Sequence, residues 1–312
     1  MAQEVAEQVS HVSLRVGRLR LSPAVPFVAP AVLVLLGIGI YPLLYSVWIS
    51  LHTYVITMPH LGRDFIGLAN YRTVLADSLF HKAVLRTLHF AALTLPIQMI
   101  GGISLALLLH VNLKGLQRFQ QAMRLIMIVP IMMTPSAVGL IGRLMFNREF
   151  GIVNYLLSSV GINKVNWLGD PAVAMITIGV VDIWQWTPFV ALVVLAGLST
   201  VPDDLYEAAM LDSTAGWAVF QHVLFPYLRP ALTAVLIIRV ADILRAFDAI
   251  FVLTRGGPGV ATEILSVYVQ RVGFRMYDLG IATAMGFLLL IGTIVVSQIF
   301  IRFLYREIEA AV

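Results

Sequence analysis

Residues 171–198 read PAVAMITIGVVDIWQWTPFVALVVLAGL, and five more stretches of the chain are comparably long and apolar. A helix rising about 1.5 Å per residue needs roughly 20 apolar residues to cross about 30 Å of hydrocarbon. All six runs meet that length. The composition agrees: 59% of the 312 residues are hydrophobic and 12% charged, against roughly 45–50% and about 25% in soluble domains. Backbone in lipid must satisfy its own hydrogen bonds, and continuous runs suit helices, whereas barrel strands would show short alternating segments. The expected fold class is all-α integral membrane, with six transmembrane helices at about 24–51, 84–109, 122–146, 171–198, 230–253 and 279–303. They form one domain, 24–305, between tails at 1–23 and 306–312. Pro42, Pro96, Pro130, Pro135 and Pro188 should mark kinks, because the ring removes a donor and clashes one turn back.

Several function classes fall away at this level. The net charge of +4 comes from Lys and Arg scattered over loops and helix ends, without the basic stripe of a nucleic-acid binder. With no cysteine there is no disulfide framework and no thiolate metal site. Histidines such as His52, His60, His81, His110 and His222 are dispersed, with no His-Glu-x-x-His pair and no nucleophile beside a base. No catalytic or metal-binding set is expected. The chain also lacks a Gly-x-x-x-x-Gly-Lys-Ser/Thr phosphate loop, so any ATP would be hydrolysed by a partner. The first 22 residues, with Glu4, Glu7, Arg15, Arg18 and Arg20, read as a polar tail ahead of the first span; a cleaved signal peptide would need a shorter apolar core and a small-residue cleavage site, and neither is evident.

Charge gives only a slight bias in orientation. With the N-terminus in the cytoplasm, Arg15, Arg18, Arg20, Lys114, Arg118, Arg124, Arg229, Arg302 and Arg306 lie inside. Arg63, Arg72, Lys82, Arg148, Lys164, Arg255, Arg271 and Arg275 lie outside. The three arginines ahead of the first span favour an N-terminus inside, and six spans return the C-terminus to the same side.

Between the fourth and fifth spans lies a polar segment, 199–229, holding Asp204, Glu207, Asp212, His222 and Arg229. Ser199 or Thr200 is placed to cap a helix with Pro202, Asp203 and Asp204 in its first turn. Ser213 or Thr214 can cap a second, running through Trp217, Phe220, Val223 and Leu224 until Pro226 and Pro230. Those four apolar residues recur at helical spacing and form a face to be buried. Such a turn suits a soluble partner, and equally an amphipathic loop lying on headgroups.

Two spans carry polar groups at membrane depth. Arg239, Asp242, Arg245 and Asp248 would cost about 2.5–3.5 kcal/mol each at the bilayer centre if they faced lipid. At three-residue spacing and alternating sign they can pair along one helix. In the fourth span Asp182, Trp186 and Phe189 fall on one stripe, with Gln185 beside them. Carboxylate, guanidinium and aromatic faces together suit sugar hydroxyls and the C–H face of a sugar ring. A structural charge network against a partner subunit is the alternative.

The polar segment closely resembles the EAA loop of ABC-transporter permeases. Its Glu-Ala-Ala is Glu207-Ala208-Ala209, its turn is Asp212-Ser213 followed by Gly216, and its aliphatic-x-Leu-Pro ending is Val223-Leu224-Phe225-Pro226. Ser213 replaces the family's turn glycine, and Phe225 its leucine. FIGLANY (65–71) and FDAIFVLTRGGPGVATEILSVYVQRVGF (247–274) resemble further segments of carbohydrate permeases. The resemblance implies a binding-protein-dependent importer of oligosaccharides, disaccharides or polyols in a bacterial inner (plasma) membrane. Its loop forms a coupling helix docked on a cytoplasmic ATPase. The implied partners are a second, homologous permease subunit, two ATP-binding subunits that use ATP and Mg, and an extracytoplasmic solute-binding protein. No cofactor would be bound by this chain. The implied solute contacts fall at Asp182, Trp186, Phe189, Arg239 and Asp242. The rival reading is an ion-gradient-driven secondary transporter, in which Asp182, Asp242 and Asp248 relay protons.

Overall fold

The computed structural model describes residues 25–110, 117–202, 204–205, 208–209 and 216–309. Five helices among them are long and apolar enough to cross a membrane, and a bent helix pair makes up to six. The described residues divide after Trp48 into two units. Helix α1 runs as Val25–Val34, a π turn at Leu35–Ile40, and Tyr41–Ser50, all but its last two residues belonging to the first unit. The π turn immediately precedes Pro42. A proline cannot donate to the carbonyl one turn back, and here the Tyr41 N–H bonds five residues back to Leu36 O, widening the turn around the ring. The expected kink at Pro42 takes the form of this bulge.

The second unit contains α2 (Ala69–Ala76), α3 (Ser78–His110), α4 (Gln117–Met132), α5 (Pro135–Met145), α6 (Ile152–Ser159) and α7 (Pro171–Leu198). It continues with α8 (Gly216–Leu244), α9 (Asp248–Thr254), α10 (Leu265–Phe274) and α11 (Leu279–Glu309). Local chemistry sets several starts. Asp170 accepts from Ala172 N at 2.9 Å ahead of Pro171, and Asp77 and Asp278 accept from Leu79 N and Ile281 N. Parallel neighbours α3 and α7 form the centre, with Gly179 against Leu93, Gln98 against Asp182 and Gly102 against Val190. A Cβ at Gly102 would lie 2.5 Å from Val190 Cβ, so only glycine lets these helices approach so closely.

Four expectations change. The helix expected over 122–146 is two helices, α4 and α5, bent by 100° at Met133–Thr134. Pro135 occupies the first position of α5, and Thr134 Oγ1 accepts from Ala137 N at 3.4 Å. The helix expected over 230–253 ends at Leu244, and a separate α9 begins at Asp248. At its other end α8 starts at Gly216 and runs through both Pro226 and Pro230, where a stop was expected. A second π turn, Phe220–Leu224, admits Pro226 as the first admits Pro42: the Phe225 N–H reaches Phe220 O. Ser199 and Thr200 end α7, donating to Ala196 O and Gly197 O; they do not open the next helix.

Both breaks have their carbonyls bonded from neighbouring elements. Gln185 Nε2 on α7 donates to Met133 O at 3.4 Å, and the Ser266 hydroxyl on α10 donates to Ala246 O. Non-helical backbone at membrane depth needs such partners.

Candidate functional site

The cores of α3, α7 and α8 meet around Arg239, the largest fully buried side chain among the described residues, at 1% exposure. Its Nη2 donates to Asp182 Oδ2 at 3.0 Å, and its Nε to Gln98 Oε1 at 3.1 Å. Gln98 closes the triangle, donating from Nε2 to Asp182 Oδ2 at 2.7 Å. One carboxylate, one amide and one guanidinium thereby join three helices far apart in sequence. The guanidinium also lies 4.7 Å above the Trp186 ring, which meets Phe189 edge-on at 6.1 Å. A buried ion pair needs this density of hydrogen bonds to offset desolvation.

The structure therefore redistributes the expected ladder. Arg239 pairs across helices with Asp182, not along α8 with Asp242. A rung remains between Arg245 Nη2 and Asp242 Oδ1 at 2.7 Å, with Arg245 69% exposed on its side chain. Asp248 stands beyond the break in the first turn of α9, so the Arg245–Asp248 rung has no common helix to sit on.

Beside this crossing lies a cavity of ≈ 250 Å³. Asp182, Gln185, Trp186, Arg239, Asp242, Arg245 and Asp248 all line it, together with Pro135 and Phe247 from the two helix breaks. Seven of the eight expected path residues thus come to one place. Phe189 is the exception: it packs with the core of Val190, Val194 and Leu228. Gln185 is buried and committed to the Met133 carbonyl. Gln98, which sequence reasoning missed, is fully buried; its signal was a lone amide two residues after Pro96 in an otherwise apolar stretch.

Outside the spans, a second charged group joins the α9–α10 connection to α10. Glu263 Oε1 lies 2.9 Å from Arg271 Nε. Burial pushes the Glu263 carboxyl above its ordinary range, against the pull of Arg271, Arg86 and Arg275.

Of the polar segment, Glu207, Asp212 and Ser213 lie outside the described residues, as do tail residues 1–23 and 310–312. Ala208 is exposed and Ala209 half-buried, both helical; Gly216 and Pro226 are exposed at the start of α8. The apolar face expected there is only partly covered: Leu224 is buried, but Trp217 is 72% exposed and stacks on Phe220 at 5.4 Å.

Residues 80–310 match the family described as "Binding-protein-dependent transport system inner membrane component". The chain is 36% identical over 289 residues to a probable ABC transporter permease protein, y4oQ, of Sinorhizobium fredii, covering 93% of this chain and 92% of that one. It is 38% identical over 253 residues to the trehalose/maltose transport system permease protein MalF of Thermococcus litoralis, covering 81% and 82%. The fold is similar to a chain in the crystal structure of a bacterial ABC transporter involved in the import of the acidic polysaccharide alginate. The TM-score there is 0.79 at 22% identity, over 90% of this chain and 94% of that one.

Proposed function

The chain belongs to the binding-protein-dependent transport system inner membrane components, and from that premise we propose that it is the permease subunit of an ATP-driven ABC importer of a sugar or sugar-like solute. One observation carries the solute reading. At membrane depth, where each charge is costly, the chain keeps a cavity lined by carboxylates, guanidinium groups and an indole. The 38% identity to a trehalose/maltose permease supports the same solute class. Asp242, Arg245, Asp248 and the edge of Trp186 would meet solute hydroxyls and C–H faces. Asp182, Arg239 and Gln98 would hold the wall in shape.

The remaining machinery is supplied by partners in this reading. Two cytoplasmic ATP-binding subunits use ATP and Mg, a second permease subunit completes the pathway, and an extracytoplasmic binding protein delivers solute. Segment 199–229 lies in the cytoplasm with both termini and docks on an ATPase through Glu207, Ala208, Ala209, Asp212, Ser213, Gly216 and Pro226. The test is uptake by the assembled transporter in vesicles. Uptake should require ATP and persist when the proton gradient is collapsed, and Glu207→Lys should keep ATP hydrolysis while losing uptake. Uptake that needs the gradient and ignores ATP would establish a secondary transporter instead.

A further inference from the structure

The connection between α5 and α7, residues 146–170, lies outside the spans; Phe146 and Leu168 pack on the core, and yet several of its other large apolar side chains turn outward. Phe150 is 69% exposed, Tyr155 69% and Val160 70%; Ile152, Leu156 and Ile162 are also exposed. Within α6 the outward positions 152, 155 and 156 fall at i, i+3 and i+4, one helix face. The opposite face is tied down by polar chemistry. Asn154, 1% exposed, donates to Arg148 O at 3.1 Å and Val165 O at 2.9 Å, and accepts from Val165 N and Trp167 Nε1 at 3.1 and 3.0 Å. The amide uses both donors and its acceptor on the loop itself, so the outward apolar face is held by a fixed local structure.

What covers that face follows from where the segment begins and ends. Six residues separate Met145 from Ile152, and at roughly 3.3–3.6 Å per extended residue this link holds the start of α6 within about 25 Å of the end of α5; the longer link to α7 is drawn in by the bonds of Asn154 to Val165 and Trp167 and of Thr177 on α7 to Trp167 O. The bend of 100° between α4 and α5 turns α5 across the direction of α4, and α5 already exposes Leu140, Leu144 and Met145. The apolar surface of α5 is continued along the chain by Phe150 and Ile152. At its rim, Arg148 and Lys164 each stand 3.9 Å from Glu149, all three well exposed, leaving one net positive charge at the edge of an apolar face. Apolar and aromatic side chains below a basic rim are the pattern of a helix lying in the headgroup layer.

We propose that α6 and its flanks, residues 148–164, lie on the membrane as an interfacial float. Tyr155, Leu156 and Val160 sit among the acyl-chain ends, and Arg148 and Lys164 sit at the phosphates of the leaflet opposite the one bordering Trp217. The float sets the height and tilt at which α5 and α7 enter the bilayer.

The absence of cysteine makes the test clean. Nitroxide labels are placed singly at Tyr155→Cys, Leu156→Cys, Val160→Cys and, as a polar neighbour, Asn163→Cys. The full-length protein, purified as it assembles in its membrane, is reconstituted in phosphatidylethanolamine–phosphatidylglycerol vesicles. Collision rates are read with oxygen and with a water-soluble nickel chelate. The expected result is that oxygen dominates at 155, 156 and 160 and the chelate at 163. Chelate collisions as frequent at 155, 156 and 160 as at 163 would place the face in water and overturn the proposal. Immobile labels reached by neither reagent would show the face covered by protein, and would overturn it equally.

Discussion

Arg239 and Asp182 show how differently two ion pairs in one cavity behave. Removing the cation with Arg239→Met leaves a carboxylate at membrane depth, an uncompensated charge worth about 3–5 kcal/mol of destabilisation. The melting temperature of the purified protein should fall sharply, and the double variant Asp182→Leu/Arg239→Met should recover most of the loss while failing in uptake. By contrast Asp242→Asn breaks a pair whose cation is largely in solvent, worth about 0–1 kcal/mol. Its melting should stay near that of the parent while the half-saturating solute concentration for uptake changes; unaltered uptake would remove Asp242 from the path. At this scale the sequence made the charges visible and hid their partners. Three-residue spacing on one helix suggested a ladder, whereas the strongest contacts join residues 57 and 141 positions apart. Nothing in a local window marks Gln98 as the third member, because its role exists only once α3, α7 and α8 have packed.

Among the elements, prolines were readable as disturbances, but the kind of disturbance was not. Pro42 and Pro226 each follow a π turn in an uninterrupted helix, Pro96 and Pro188 sit inside long helices, and Pro135 starts a new one after a break. The end of α8 at Leu244 carries no glycine or proline; the hydroxyl of Ser266, from a later element, satisfies the break. The second π turn yields a specific expectation. Pro226→Ala restores an N–H that can close an ordinary turn, and losing the extra residue of the bulge rotates the chain before it by roughly 100° about the helix axis. Trp217 and the segment leading to it would then face a new direction. ATP hydrolysis by the assembled transporter should continue while uptake falls, with melting little changed; full uptake in this variant would show that the bulge has no part in coupling. Gly139→Val should act through packing alone. A Cβ there would meet Ala249 O at 2.7 Å and Val252 Cβ at 2.9 Å, so α5 must part from α9 and the melting temperature should drop.

For the whole molecule, membrane class and helical architecture were open to reading, since hydrocarbon thickness fixes run length and few other folds accommodate so many runs. Sidedness was less so: cations divide almost evenly between the two sets of loops, and a charge rule needs an excess. Labelling resolves it. A membrane-impermeant maleimide should react with Trp217→Cys in inverted vesicles and with Asn163→Cys in right-side-out vesicles. The opposite pattern would put residue 217 beyond reach of any cytoplasmic ATPase. The close seat of Gly139 on α9 has one more consequence. The two short helices bordering the chamber cannot slide past each other, so they form a stiff plate. On the proposed transport reading, the cavity they border would open by that plate tilting as a whole on the unwound residues at Met133–Thr134 and Arg245–Phe247.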